Sequence, residues 1–142
     1  MSQALSILRS ALRPEPAVRL AVLFGSTAVG EDDDRSDVDL LVVHRNPTPL
    51  ILAGLKLRLR RALDRPVNVI DIERAEAMPT LLTDVLCEGH VVIDRDGLWE
   101  TLYRRWGEIL AAAVREERAT AMSARGAVEG ARERLAAMGD PR

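Results

Sequence analysis

An apolar run that stops at Gly-Ser, followed ten residues later by Asp-x-Asp at the start of a second apolar run, restricts the fold more than any other feature of this chain. The first run is Ala17 to Phe24, it ends at Gly25-Ser26, and the second opens on Asp37-Val38-Asp39 and continues to Val43. Short apolar runs bounded by turn-forming residues predict β-strands. Gly25 has no Cβ, so the backbone can approach a ligand closely. Ser26, at the expected start of a helix, adds a hydroxyl beside N–H groups that point at an anion. Together they suit a triphosphate. Asp37 and Asp39 are two apart on a strand, so their side chains leave one face with Cα atoms roughly 7 Å apart. That separation suits shared divalent cations, and magnesium prefers such hard oxygen ligands while keeping room for substrate phosphates.

The rest of the chain alternates helix and strand. Leu5, Leu8 and Leu12 recur at helical spacing before Pro14 and Pro16, and Leu50 to Leu63 reads as a second helix with Leu52, Leu55, Leu59 and Leu63 on one side. Val67 to Ile72 reads as a third strand, Pro79 to Glu88 as a helix closed by Gly89, and Val91 to Asp94 as a fourth strand. From Leu98 to about Met138 the pattern is helical. The expected architecture is α/β (α+β): a short mixed sheet with helices over one face, formed by residues 1–96. A C-terminal helical extension, residues 97–142, packs on that domain or on a partner.

Composition narrows the class. The chain has 142 residues, the size of one ordinary domain, and only 3% are aromatic, so its core must be aliphatic. A formal net charge of −2 provides no global attraction to nucleic acid or to a membrane surface, so direct nucleic acid binding is not expected. No segment approaches the roughly 20 apolar residues of a membrane span, and the N-terminus reads as an amphipathic helix instead of a signal peptide. Cys87 is the only cysteine, which fits a reducing compartment and makes the cytoplasm the expected location.

The pattern Gly25-Ser26, ten residues, Asp37-x-Asp39 resembles that of the minimal nucleotidyltransferases of the DNA polymerase beta superfamily. The likeness in element order extends from the first strand to about Asp94. It implies a nucleotidyltransferase-like fold and transfer of a nucleoside monophosphate from a nucleoside triphosphate, ATP above all, to an acceptor hydroxyl. Mg²⁺ or Mn²⁺ would be held by Asp37 and Asp39, with Gly25 and Ser26 on the phosphates. The family's third carboxylate falls on the third strand, where this chain has Asn68. Asn68 therefore enters as the third catalytic position, filled by an amide that can coordinate a metal but cannot act as a base.

The turn also departs from the family: Val29 stands where relatives often carry arginine. Asp71 is a tempting substitute for the missing carboxylate, but alternation puts it on the face opposite Asn68 unless a bulge intervenes. The acidic run Glu31 to Asp34 reads as a solvated loop. Stand-alone members of this family are often paired with HEPN-type toxins and some are antitoxins that adenylylate them, so a toxin partner is implied. A homo-oligomer through the C-terminal helix is the other expected assembly, and a catalytically degenerate module that binds its partner by contact is the alternative function.

Other residues read as structural. Cys87 lies in an apolar helix without a neighbouring histidine. His44 and His90 read as surface or loop residues. Lys56, Arg58, Arg60, Arg61 and Arg65 distribute around a helix and read as its solvated side. Trp99, Tyr103 and Trp106 recur at helical spacing, equally suited to core packing and to a partner interface.

Overall fold

The computed structural model describes residues 3–25 and 37–138. Its elements are α1 (Gln3–Leu12), β1 (Val18–Phe24), β2 (Val38–His44), α2 (Pro49–Leu63), β3 (Val67–Asp71), α3 (Ile72–Glu76), α4 (Pro79–Glu88), β4 (His90–Asp94), α5 (Leu98–Arg104) and α6 (Trp106–Met138). The strands form one sheet in the order β3-β2-β1-β4. β1 runs antiparallel to both β2 and β4, whereas β2 and β3 are parallel, joined through α2. The sheet is therefore mixed, as expected.

Helices pack on both faces, which corrects the expectation of a single covered face. On the first face Leu5, Leu8 and Leu12 of α1 and Leu55, Leu59 and Leu63 of α2 close over Ala21, Leu23, Leu40 and Val42. On the second, Ala75 of α3, Leu82, Val85 and Leu86 of α4, Leu102 of α5 and Ile109 of α6 close over Leu20, Val22, Phe24 and Leu41. A strand covered on both sides must be apolar at consecutive positions, and β1 and β2 are: Leu20, Ala21, Val22, Leu23, Leu40 and Leu41 are all buried. A register shift between Val18 and Leu20 lets both residues be buried on opposite faces although they are two apart.

Local signals explain the ends. Thr48 caps α2, its side chain accepting a hydrogen bond from the Ile51 N–H at 3.3 Å, and Pro49 occupies the first turn. Asp71 ends β3 one residue short of the strand expected from the sequence, and α3 starts at Ile72. The C-terminal helical region is interrupted at Arg105, whose guanidinium donates to Glu76 Oε1 at 2.9 Å and so ties α6 to α3. Glu76 thereby raises the Arg105 pKa above its ordinary value.

Trp99 and Trp106 pack against the second core, and the half-exposed Tyr103 donates its hydroxyl proton to the Leu86 carbonyl at 3.0 Å while meeting Trp99 edge-on. Beyond Ala113, α6 leaves the domain, with Met122, Val128 and Leu135 exposed. Cys87 is exposed, so its expected place in the packing is not observed. Among the described residues no helix is long and apolar enough to cross a membrane.

Candidate active site

The site forms at the sheet end where β1 finishes and β2 and β3 begin. Antiparallel pairing sets Phe24 beside Asp39, and parallel pairing sets Asp39 beside Asn68. Three adjacent strands thus bring Gly25, Asp39 and Asn68 into line. The β2–β3 register has no shift, so alternation holds: Asp39 and Asn68 share the second face, while Asp71 pairs with Val42 of the first. Asp71 is therefore not a substitute third carboxylate. One of its oxygens, Oδ1, is buried without a hydrogen-bond partner among the described residues.

Asn68 joins the two acids. Its Nδ2 donates to Asp37 Oδ2 at 3.3 Å and to Asp39 Oδ1 at 3.0 Å. That one donor atom reaches both carboxylates shows that they converge on a common point, as a shared hard cation requires. The donor set of Asp37 and Asp39 fits a divalent ion. Rotating the Asn68 amide would exchange its N–H for an oxygen that can also coordinate. Among the described residues no cluster of three histidine, cysteine or carboxylate side chains could supply a fuller ligand set.

Gly25 adopts a left-handed φ of +77°, and a Cβ there would stand 2.5 Å from Asp39 Oδ2. Glycine is needed twice over, for the conformation and for the room beside the carboxylate. The Asp39 carboxylate is therefore flanked by the Gly25 turn at Oδ2 and by Asn68 at Oδ1. Ser26 lies outside the described residues, as do Val29 and the acidic run Glu31 to Asp34.

On the Asn68 side lies a cavity of about 290 Å³ lined by Asp39, Asn68, Ile70, Met78 and two cations, Lys56 and Arg74. Sequence reading placed Lys56 on the solvated side of α2 and did not single out Arg74. Both are exposed, yet α2 and α3 bring them to one cavity across β3. The available signal was that Lys56 is the only lysine in an arginine-rich chain. Of the remaining basic residues of α2, Arg58 pairs with Glu15 at 3.1 Å. His44 accepts from the Asn46 backbone N–H through Nδ1 at 2.9 Å, and His90 is exposed at the start of β4.

Known proteins share the family and the fold. The family described as polymerase beta nucleotidyltransferase matches residues 7–97. Among curated proteins no sequence relative matches. Among solved structures, a toxin–antitoxin complex with AMP-PNP superposes with a TM-score of 0.70 at 22% identity, covering 84% of this chain and 97% of that one. The toxin–antitoxin MntA-HepT gives 0.64 at 20% identity, covering 85% and 96%. A tri-AMPylated Shewanella oneidensis HEPN toxin in complex with its MNT antitoxin gives 0.60 at 20% identity, covering 84% and 93%. At these identities the likeness is one of fold.

Proposed function

The chain belongs to the polymerase beta nucleotidyltransferase family, and from that premise we propose that it transfers a nucleoside monophosphate from a nucleoside triphosphate, ATP in the first instance, to a hydroxyl on a partner protein. The observation that carries this reading is the convergence of Asp37 and Asp39 on one point, beside a glycine whose missing Cβ leaves room next to Asp39. Gly25 and Ser26 receive the phosphates, and Asp37 and Asp39 hold Mg²⁺ or Mn²⁺. Bound there, a divalent ion supplies charge neutralisation for the phosphates and for the departing pyrophosphate.

The chain's own residues then orient the reactants. The acceptor oxygen forms a bond to the α-phosphorus, the bond from that phosphorus to the bridging oxygen breaks, pyrophosphate leaves, and the acceptor proton passes to solvent. Asn68 has no basic atom for that proton; it aligns the two carboxylates. Loss of a general base costs about 10²- to 10⁴-fold, so slow turnover is expected. A HEPN-type toxin is the partner this reading favours. Similar folds occur in complexes of MNT antitoxins with HEPN toxins, one of them AMPylated, and the exposed apolar side chains of α6 offer contact area to a partner or to a second copy. The cytoplasm is the compartment that suits such a pair.

The test is incubation with each labelled triphosphate and Mg²⁺ or Mn²⁺, with and without the co-purifying partner. Label on a protein hydroxyl, abolished by Asp37→Ala or Asp39→Ala, is the expected result. Nucleotide bound without transfer to any acceptor would overturn catalysis and leave the second reading, a degenerate module acting by contact. Asn68, an amide where the family pattern implies a carboxylate, and Val29, where it implies an arginine, are the features that favour it. Asn68→Asp separates the two. An active site short of one base gains about tenfold or more in rate, whereas a module that has lost turnover for other reasons gains nothing.

A further inference from the structure

Lys56 and Arg74 are cations that the fold does not use. Neither has an ion-pair or hydrogen-bond partner among the described residues, although Arg19, Arg58, Arg104 and Arg105 all pair with carboxylates. They come from separate helices, α2 and α3, and meet at one cavity beside Asp39 and Asn68. Among the described residues the sole carboxylate lining that cavity is Asp39, which is already bonded to Asn68. Two unpaired cations at a cavity mouth favour an anionic visitor.

The position of the cavity indicates which visitor. Asp39 Oδ2 faces the Gly25 turn and Oδ1 faces Asn68. If the donor's phosphates lie along the turn, the Asn68 side remains for the acceptor hydroxyl that receives the nucleoside monophosphate while pyrophosphate leaves. The wall there is apolar, formed by Ile70 and Leu81, with Met78 42% exposed at the rim. Methionine suits surfaces that adapt to a projecting side chain.

We propose that this cavity seats the acceptor, a hydroxyl-bearing side chain of a partner protein with carboxylates beside it, and that Lys56 and Arg74 select it by those charges. This rests on the transferase reading of the Asp37–Asp39 pair. The apolar wall holds the body of the side chain while its hydroxyl points toward Asp39. The cations hold neighbouring acidic residues at the rim, so recognition is charge-dependent and weakens with salt.

Binding tests this without turnover. The full chain, with Mg²⁺ and a non-hydrolysable ATP analogue, is titrated with a short peptide bearing one tyrosine among aspartates and glutamates. The comparison peptide has asparagines and glutamines in their place. The acidic peptide is expected to bind about tenfold more tightly, with the preference lost in Lys56→Gln/Arg74→Gln and reduced by added salt. Both positions are exposed, so the variant should fold; retention of the wild-type circular dichroism spectrum checks this. Absence of a preference, including no binding of either peptide, overturns the proposal, as does its survival in the variant. A separate titration with the ATP analogue alone distinguishes the remaining cases. Weaker nucleotide binding in the double variant assigns the cations to the donor and overturns the proposal. No nucleotide binding by the wild type is instead a failure of the transferase reading.

Discussion

The two ends of the sheet are built from similar residues and treat them differently. At the end where β1 begins, charged groups are consumed by the fold. Arg95 Nε donates to the Val18 carbonyl at 3.0 Å, and its Nη2 reaches the carbonyls of Leu12, Arg13 and Glu15 at 3.1 to 3.4 Å. Arg19 pairs with Asp96, and the Asp94 carboxylate accepts the Leu98 and Trp99 backbone N–H groups at the start of α5. At the end where β1 finishes, Asp37 and Asp39 are crowded onto one amide, and Lys56 and Arg74 stand without partners among the described residues. Satisfied polar groups stabilise a fold, whereas converging like charges are retained for a ligand. The first end closes the domain and the second remains available.

The largest expected effects contrast the ends directly. Arg95→Met leaves several loop carbonyls without their donor and should cost about 2–3 kcal/mol of stability, read as a lower denaturation midpoint. Transfer activity per folded molecule should be unchanged. Asp39→Ala should do the opposite, with activity abolished and stability within about 0.5 kcal/mol of wild type, because it removes a repelling carboxylate along with its bond to Asn68. Equal stability losses from the two substitutions would break the contrast between the ends.

Gly25→Ala sharpens it. A left-handed conformation costs a non-glycine residue about 1–2 kcal/mol, and the added Cβ meets Asp39 Oδ2 at 2.5 Å. The carboxylate must move, and a shift of about 1 Å in a catalytic group can cost on the order of a hundredfold in rate. Denaturation and transfer assays should thus show a modest stability loss beside a large activity loss. If nucleotide-dependent labelling keeps its wild-type rate, Gly25 is only a turn residue.

How much of this was legible in the sequence differs with the kind of signal. Adjacent positions carry strong local information, so Gly25, Asp37 and Asp39 could be assigned to strand ends, and alternation alone placed Asp71 away from Asn68. The cover on both faces was visible in principle in the consecutive apolar residues of β1 and β2, but a buried run reads the same whichever helices cover it. The Ile72 boundary was hidden because an apolar residue after Asp71 continues a strand pattern as readily as it starts a helix. Exposure of Cys87 depends on which side of α4 meets the sheet, which is set by tertiary packing. Lys56 and Arg74 are 18 positions apart on separate helices; only the fold around the edge strand β3 brings them to one cavity.

The smallest expected effect lies in the closed end's response to acid. The hydrogen bond from Arg19 holds the Asp96 carboxyl below its ordinary value of 3.8. A carboxyl whose folded pKa lies below its unfolded one stabilises the fold at all pH values above the unfolded value, and that contribution disappears as pH falls through the folded one. Both groups are at the surface, so the effect is small and screened by salt. In Asp96→Asn the dependence of the denaturation midpoint on pH should be slightly flatter below about pH 4, with no change in slope near neutrality. The same substitution should leave nucleotide binding untouched, since Asp96 follows β4 at the far end of the sheet from Asp39. A changed nucleotide affinity would mean that the two ends are coupled through β1, and the separation of a closed structural end from an available one would have to be given up.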